Sequence, residues 1–328
     1  MSGRTRIVLV GVVAATLLAA CTPAPPVTGP APMMERQASL VDTQAQGIVL
    51  QTFDAIARAD ASQDITLAGD RISGDAATVR AAQYTVAATD SARQPDQLPT
   101  EQQAIYVSSS STWPRVMAAV SVEPTDSTAP VVTLWVQDTV NSPYSLRGWA
   151  HMIPGAALPA MPTDAIGAAE LSLDSDLTSP TPGEALATYL DYLRQGPSGE
   201  LAASFEPDRY AELLFTARDT LTSAAAAAAG NYVDTIDPDL AHSYVLETAD
   251  GGALVFAAVS VASAFSVSAP GATVSLQDAD VALVSGSLTT SVVHRYRDFV
   301  VIHVPPVGSG VKPMVVAADH HLVTVTPD

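Results

Sequence analysis

Between Gly251 and Gln277 the chain carries no charged side chain, so this stretch has to be buried, either in a bilayer or in a protein core. Its pattern separates the two. Val255, Val259, Val261, Phe265 and Val267 fall on one phase of a two-residue period, and Phe256, Ala258, Ser260, Ala262, Ala264 and Ser266 fall on the other. Alternation of this kind sends side chains to opposite faces of a β-strand. A membrane span needs about 20 sustained apolar residues, and here serines and the Pro270–Gly271 pair interrupt the run. A buried, mostly one-sided strand is the better reading, and it requires a sheet with something to cover it.

The rest of the chain supplies both. Val41, Ala45, Val49, Phe53 and Ile56 recur at helical spacing, with Ser39 and Asp42 as a capping pair, which predicts a helix over 39–60. Branched and aromatic residues in Thr78–Ala88, Trp113–Val122, Val131–Val140 and Leu146–Ile153, separated by Pro, Gly, Asp and Asn, read as antiparallel strands. Pro154–Pro182 has several prolines and little periodicity, so it marks a connection. Thr181, Pro182 and Glu184 then give cap, first-turn proline and box partner for a helix carrying Leu186, Tyr189, Leu190 and Leu193 on one face. A second helix starts near Pro207, with Tyr210, Leu213, Leu214, Ala217 and Leu221 on one side, and runs through Ala224–Ala229 to Gly230. Strands over Thr289–Val304 and Met314–Val325 follow.

Helix followed by meander thus occurs twice, which predicts an α+β fold of two modules, each with an N-terminal helix or helices followed by an antiparallel curved sheet. The expected divisions are a leader over 1–20, a Pro/Ala/Thr-rich tether over 21–38, a first module over 39–165, a linker over 166–180 and a second module over 181–328. In element order each half resembles the cystatin-like and nuclear-transport-factor-two-like cones, in which a curved sheet wraps a helix. That resemblance implies an apolar pocket inside each cone.

The leader sets the address. Arg4 and Arg6 precede an uncharged run from Ile7 to Ala20, the layout of a secretory signal and too short for a permanent span. Leu18, Ala19, Ala20 and Cys21 resemble the cleavage box of bacterial lipoprotein precursors, and the whole layout resembles actinobacterial lipoproteins of unassigned function. The resemblance implies that Leu18, Ala19 and Ala20 are the recognition residues and that Cys21 is acylated, for example with palmitate, and becomes the first mature residue. It thereby implies a protein held on the extracytoplasmic side of the cell membrane. Cys21 is the chain's single cysteine, so no disulfide is available and the body must hold by packing.

Composition narrows the partners. With 48% hydrophobic and 15% charged residues the chain has the means to fold. Its net charge of −19 becomes more negative still when Arg4 and Arg6 leave with the leader. Such a charge repels nucleic-acid phosphates and anionic headgroups, so nucleic acid is not expected as a partner and the lipid must do the anchoring.

No linear chemical signature is complete. Ser309–Lys312 matches a Ser-x-x-Lys string, but Gly308, Gly310 and Pro313 indicate a turn rather than the helix start such a serine needs. His294, His303, His320 and His321 gather late in the chain, yet adjacent strand residues face opposite ways and an odd separation does the same to His294 and His303. The pairs Asp174/Asp176, Asp237/Asp239 and Asp278/Asp280 lack the glycine and closing glutamate of a calcium loop. Arg295, Tyr296, Arg297 and Asp298 form a polar group inside an apolar strand, read as cover for a wet sheet face rather than a pocket lining. No catalytic, metal or cofactor-binding residue is assigned. The leading expectation is a membrane-anchored binding or interaction module, for an envelope protein or a small apolar ligand. The alternatives are an envelope enzyme with a non-linear active site in a cone-shaped pocket, and a passive scaffold subunit of a membrane complex.

Overall fold

The computed structural model describes residues 36–123, 129–287 and 289–327; Leu18, Ala19, Ala20 and Cys21 lie outside them. The first half consists of α1 (Asp42–Ser62), a 3-10 segment (Ile65–Arg71), α2 (Gly74–Thr89) and strands β1 (Gln102–Val107), β2 (Arg115–Ser121), β3 (Val131–Gln137) and β4 (Ser145–His151). The second consists of α3 (Pro182–Gln195), a 3-10 segment (Glu200–Ser204), α4 (Arg209–Ala227), β5 (Asn231–Glu247), β6 (Ala253–Ser266), α5 (Asp278–Leu283), β7 (Ser291–Val304) and β8 (Met314–Thr326). Each half contributes one four-stranded antiparallel meander, β1-β2-β3-β4 and β5-β6-β7-β8. The α+β layout and the two sheet modules agree with the sequence pattern.

Sequence alternation decides what each sheet face meets. On sheet one, Met117, Ala119, Val131 and Trp135 pack with Val49, Phe53 and Ile56 of α1 and with Ala76, Val79 and Tyr84 of α2. On sheet two, Val255, Ala257, Val259 and Val261 pack with Leu186, Tyr189 and Leu190 of α3 and with Tyr210 and Phe215 of α4. The opposite phases, Val116, Ala118, Val132 and Leu134 on sheet one and Leu254, Phe256, Phe299 and Val301 on sheet two, form a third core between the sheets. The uncharged stretch is therefore β6, a central strand covered by helices on one face and by the other sheet on its second face. Among the described residues no helix is long and apolar enough to cross a membrane.

The sheets come close enough at one point to dictate a residue. A methyl group on Gly148 of β4 would overlap the Phe299 ring of β7, and Phe299 in turn stacks on Phe256 at 6.4 Å between centroids. Gly230 has the same constraint against the Ser266 backbone. From Arg36 onward the chain is one compact unit. The segment expected as a linker over 166–180 is packed within it, with Ala168 bridging Ser108, Glu170 bridging Leu246 and Thr178 bridging Pro306. Ile153 donates its N–H to Val316 O at 2.9 Å, joining the end of β4 to β8.

Four local expectations change, the first being the face of α4, which buries Tyr210, Ala211 and Phe215 while Leu213 and Ala217 of the expected stripe are exposed. Thr78–Ala88, expected as a strand, is the body of α2, because Ala76, Val79, Arg80, Tyr84 and Ala87 form a helical buried stripe. Its threonines are reconciled with the helix by back-bonds, Thr78 to Gly74 O and Thr85 to Ala81 O. Ser39 does not cap α1: the helix begins after Val41, whose N–H is accepted by the Gln44 side chain at 3.2 Å, while Ser39 N–H donates to Ser108 O. Strands β1 and β5 appear where none was expected. The box of Thr181 and Glu184 on α3 forms as read.

Replacing Gly148 with Ala is predicted to lower unfolding stability by about 1–3 kcal/mol through overpacking. Gly148→Ala paired with Phe299→Leu should recover part of the loss in a denaturant titration, because the shorter side chain yields the space the methyl needs.

Candidate functional site

Most of the polar residues singled out in the sequence are distributed along the second sheet rather than brought to one point, and Asp174 and Asp176 lie in the turns before α3. His320 Nδ1 lies 2.9 Å from both oxygens of Asp298, Asp298 also accepts the Tyr210 hydroxyl, and the Tyr296 ring stacks on His320 at 3.8 Å. His294 is held 3.2 Å from Asp280 at the start of α5. His321 points to the other face, with Nδ1 3.6 Å from Asp96 and its ring 5.5 Å from Trp149. His303 is half-buried, and burial depresses its pKa. Among the described residues no group of three or more metal-ligating side chains is assembled. Ser309 and Lys312 sit in an irregular loop, where Ser309 Oγ accepts the Val311 N–H. Asp239 pairs with His242 at 2.7 Å on β5.

These contacts tie the layers together. Asp298 is buried whereas Arg295 is exposed, so only part of this polar group covers a wet sheet face as its sequence implied. Asp298 joins α4 to β7 and β8, while Arg297 reaches Asp75 of α2 at 3.1 Å. Burial first, and then the neighbouring carboxylates, hold the hydroxyls of Tyr210 and Tyr189 well above the ordinary phenol range, so both remain donors. The Tyr189 hydroxyl donates to Asp208, which also caps α4 by accepting the Ala211 N–H at 2.8 Å. His151 of β4 meets Asp319 of β8 at 2.7 Å, and this hydrogen bond raises the imidazole pKa against the opposing effect of burial.

Main chain that no described residue pairs lies at β1. Ser108 N–H points into the sheet toward Val116 O, whereas Val107 O and Ser109 N–H point outward and pair with Ala168. By the alternation of a strand, Ile105 also directs its N–H and C=O outward. Past Ala168, no segment among the described residues continues this ladder along Gln103–Tyr106. Sheet edges are ordinarily protected by charge or proline. On the second sheet the outer strand β5 carries Asp234, Asp237, Pro238 and Asp239 and the other outer strand, β8, is bridged by Met152 and Val284, whereas Gln102–Val107 contains neither charge nor proline and has only a bulge between Gln102 and Ala104.

Two cavities flank this open edge. On the α1 side, about 400 Å³ lies between Asp42, Gln46 and Leu50 of the helix, the strand and Asp164. On the other side, about 630 Å³ is bounded by Ala104, Tyr106, Val120, Met152, Ile153, Pro154 and Leu158, with Glu123 at its margin. Among the described residues neither lining includes Lys or Arg. An unpaired strand with room for side chains on both faces is what a second strand needs to add to a sheet.

A family model described as Domain of unknown function (DUF8094) matches residues 38–326. The chain belongs to the DUF8094 family. No curated protein and no solved structure matches it. The DUF8094 match begins just before α1 and ends with β8, so the family's unit takes in both sheets and the core between them.

The sequence did not mark this edge. Gln102 and Gln103 mask the strand character of Ile105, Tyr106 and Val107, although those three residues carry the β-propensity that could have revealed it. The openness of the edge is tertiary information.

His151 gives the DUF8094 body a measurable pH dependence. A raised imidazole pKa contributes stability that is fully present below the unfolded-state value of about 6.5 and is lost as pH rises through the folded-state value. The stability advantage of the native protein over His151→Gln should therefore shrink as pH rises from about 6.5 through the raised folded-state value in denaturant titrations. An advantage that grows with pH would contradict the assignment.

Proposed function

We propose that this DUF8094 protein is an extracytoplasmic lipoprotein, anchored to the cell membrane through acylated Cys21, that acts as an interaction module by receiving an extended segment of an envelope protein along β1. The observation that carries this reading is the outer edge of Gln103–Tyr106, which no described residue pairs, with a cavity on each side. The leader and its cleavage box support the anchor, and the Pro-rich stretch from Thr22 to Pro32 supports a spacer between lipid and body. Strand addition gives affinity through main-chain hydrogen bonds and selectivity through alternate side-chain pockets.

The packing favours a surface interaction over carriage of a small apolar ligand within a cone. The helix-facing side of sheet one is filled by Trp135, Trp149 and Phe53, and that of sheet two by Tyr189, Tyr192, Phe205 and Phe215.

Two measurements check the proposal. The intact denatured mass of protein extracted from its own membrane should correspond to a chain beginning at Cys21 plus acyl groups, and Cys21→Ala should leave an uncleaved, unacylated precursor. A photo-crosslinker at Gln103 should join the protein to an envelope partner, and Ile105→Pro should abolish the product. Proline removes an outward N–H without taking a bond from the β2 ladder, so the variant is expected to stay folded. Crosslinking that persists unchanged in Ile105→Pro would overturn the role of the edge.

A further inference from the structure

The two sides of the β1 edge differ in chemistry, and the difference specifies the strand it fits. Successive residues of an added strand point alternately to the two faces of the sheet. On the α1 face they enter the cavity bounded by Asp42, Gln46 and Asp164. On the opposite face they enter the cavity bounded by Val120, Met152 and Leu158. The first wall offers two carboxylates, one of them accepting from the Gln46 amide, beside Val49 and Leu50; the second is mostly aliphatic and thioether surface, with Glu123 and Gln103 also in its lining.

We infer that the partner segment is an extended peptide in which Lys or Arg alternates with an apolar residue, its cations facing α1 and its apolar side chains facing Met152 and Leu158. This rests on the interaction reading above and adds the chemistry of the partner to it. Charge complementarity supports it twice: Asp42 and Asp164 line the cavity itself, and the chain as a whole carries a net charge of −19, which draws a cationic segment toward it and steers its approach. A second copy of this chain is a poorer occupant, because its own β1, Gln102–Val107, has no cation to bring to the acidic side and its like charge opposes the approach.

The test uses the purified full chain and three fluorescent peptides of equal length, monitored by anisotropy. One alternates Lys with Val, one alternates Glu with Val, and one has the Lys and Val of the first segregated into two blocks. The alternating Lys peptide is expected to bind saturably, more tightly than the segregated peptide by about tenfold or more, and to weaken as salt screens the charges. The alternating Glu peptide is expected not to bind. Asp42→Asn with Asp164→Asn should weaken the alternating Lys peptide by about fivefold or more, and Ile105→Pro should abolish its binding while leaving the melting transition in place. Equal binding of the alternating and segregated Lys peptides, or binding unaffected by the paired Asn substitutions, would overturn the inference.

The Gln103 crosslink separates the two levels of the proposal. If Ile105→Pro removes a crosslink to an envelope protein but the peptides are not discriminated, the partner chemistry is wrong and the interaction reading stands. If the crosslinked product is a dimer of this chain, the cationic partner is wrong and a second copy is the occupant. If no Ile105-dependent crosslink forms, both fail.

Discussion

Burial of the two sheets against each other is the constraint on which the rest of this structure depends. Each sheet has helices on one face only, and its second face is too apolar to meet water: Val116, Ala118, Val132 and Leu134 on one side, Leu254, Phe256, Phe299 and Val301 on the other. With no disulfide available, this shared core is what makes two helix-and-meander halves into one unit. The seat of Phe299 over Gly148 shows how close the approach is, and the pairing of Ile153 with Val316 extends the contact from side chains into main chain.

That arrangement determines where backbone remains open among the described residues. The β4 side of sheet one is engaged with the second sheet, the outer strand β5 of sheet two carries acids and a proline, its other outer strand β8 is bridged by Met152 and Val284, and the end of β1 is occupied by Ala168. What is left along Gln103–Tyr106 has neither charge nor proline, its one protective device being the bulge between Gln102 and Ala104. The same chain that protects β5 with Asp234, Asp237 and Asp239 leaves β1 bare between two cavities. This contrast within one molecule is a stronger reason to assign β1 a binding role than the exposure of any single apolar residue.

Much of the fold was legible because local and tertiary preferences agree. The Thr181–Glu184 box, the alternating β6 and the helical stripes of α1 and α3 each announce themselves in sequence; α4 announces itself as a helix, but it buries Tyr210, Ala211 and Phe215 rather than the stripe through Leu213 and Ala217. Where the two disagree, packing prevails: α2 is rich in β-branched residues yet buries a helical stripe, and β5 hides behind the aspartates that protect its edge. The histidines illustrate the same limit. Strand alternation correctly separated His320 from His321, but that Asp298 would be buried between Tyr210 and His320 depends on where α4 lies, which no local pattern encodes. The β1 edge was the least legible feature, since being unpaired is a property of everything that does not pack beside it.

The most direct measurement of this account is residue-resolved amide hydrogen exchange along β1 in the full chain. The N–H groups of Ala104 and Tyr106, directed at β2, should exchange slowly, while that of Ile105, directed outward, should exchange much faster and become protected when a strand adds. Slow exchange at Ile105 equal to that of its neighbours in the unbound protein would contradict the account, because the edge would then already be paired.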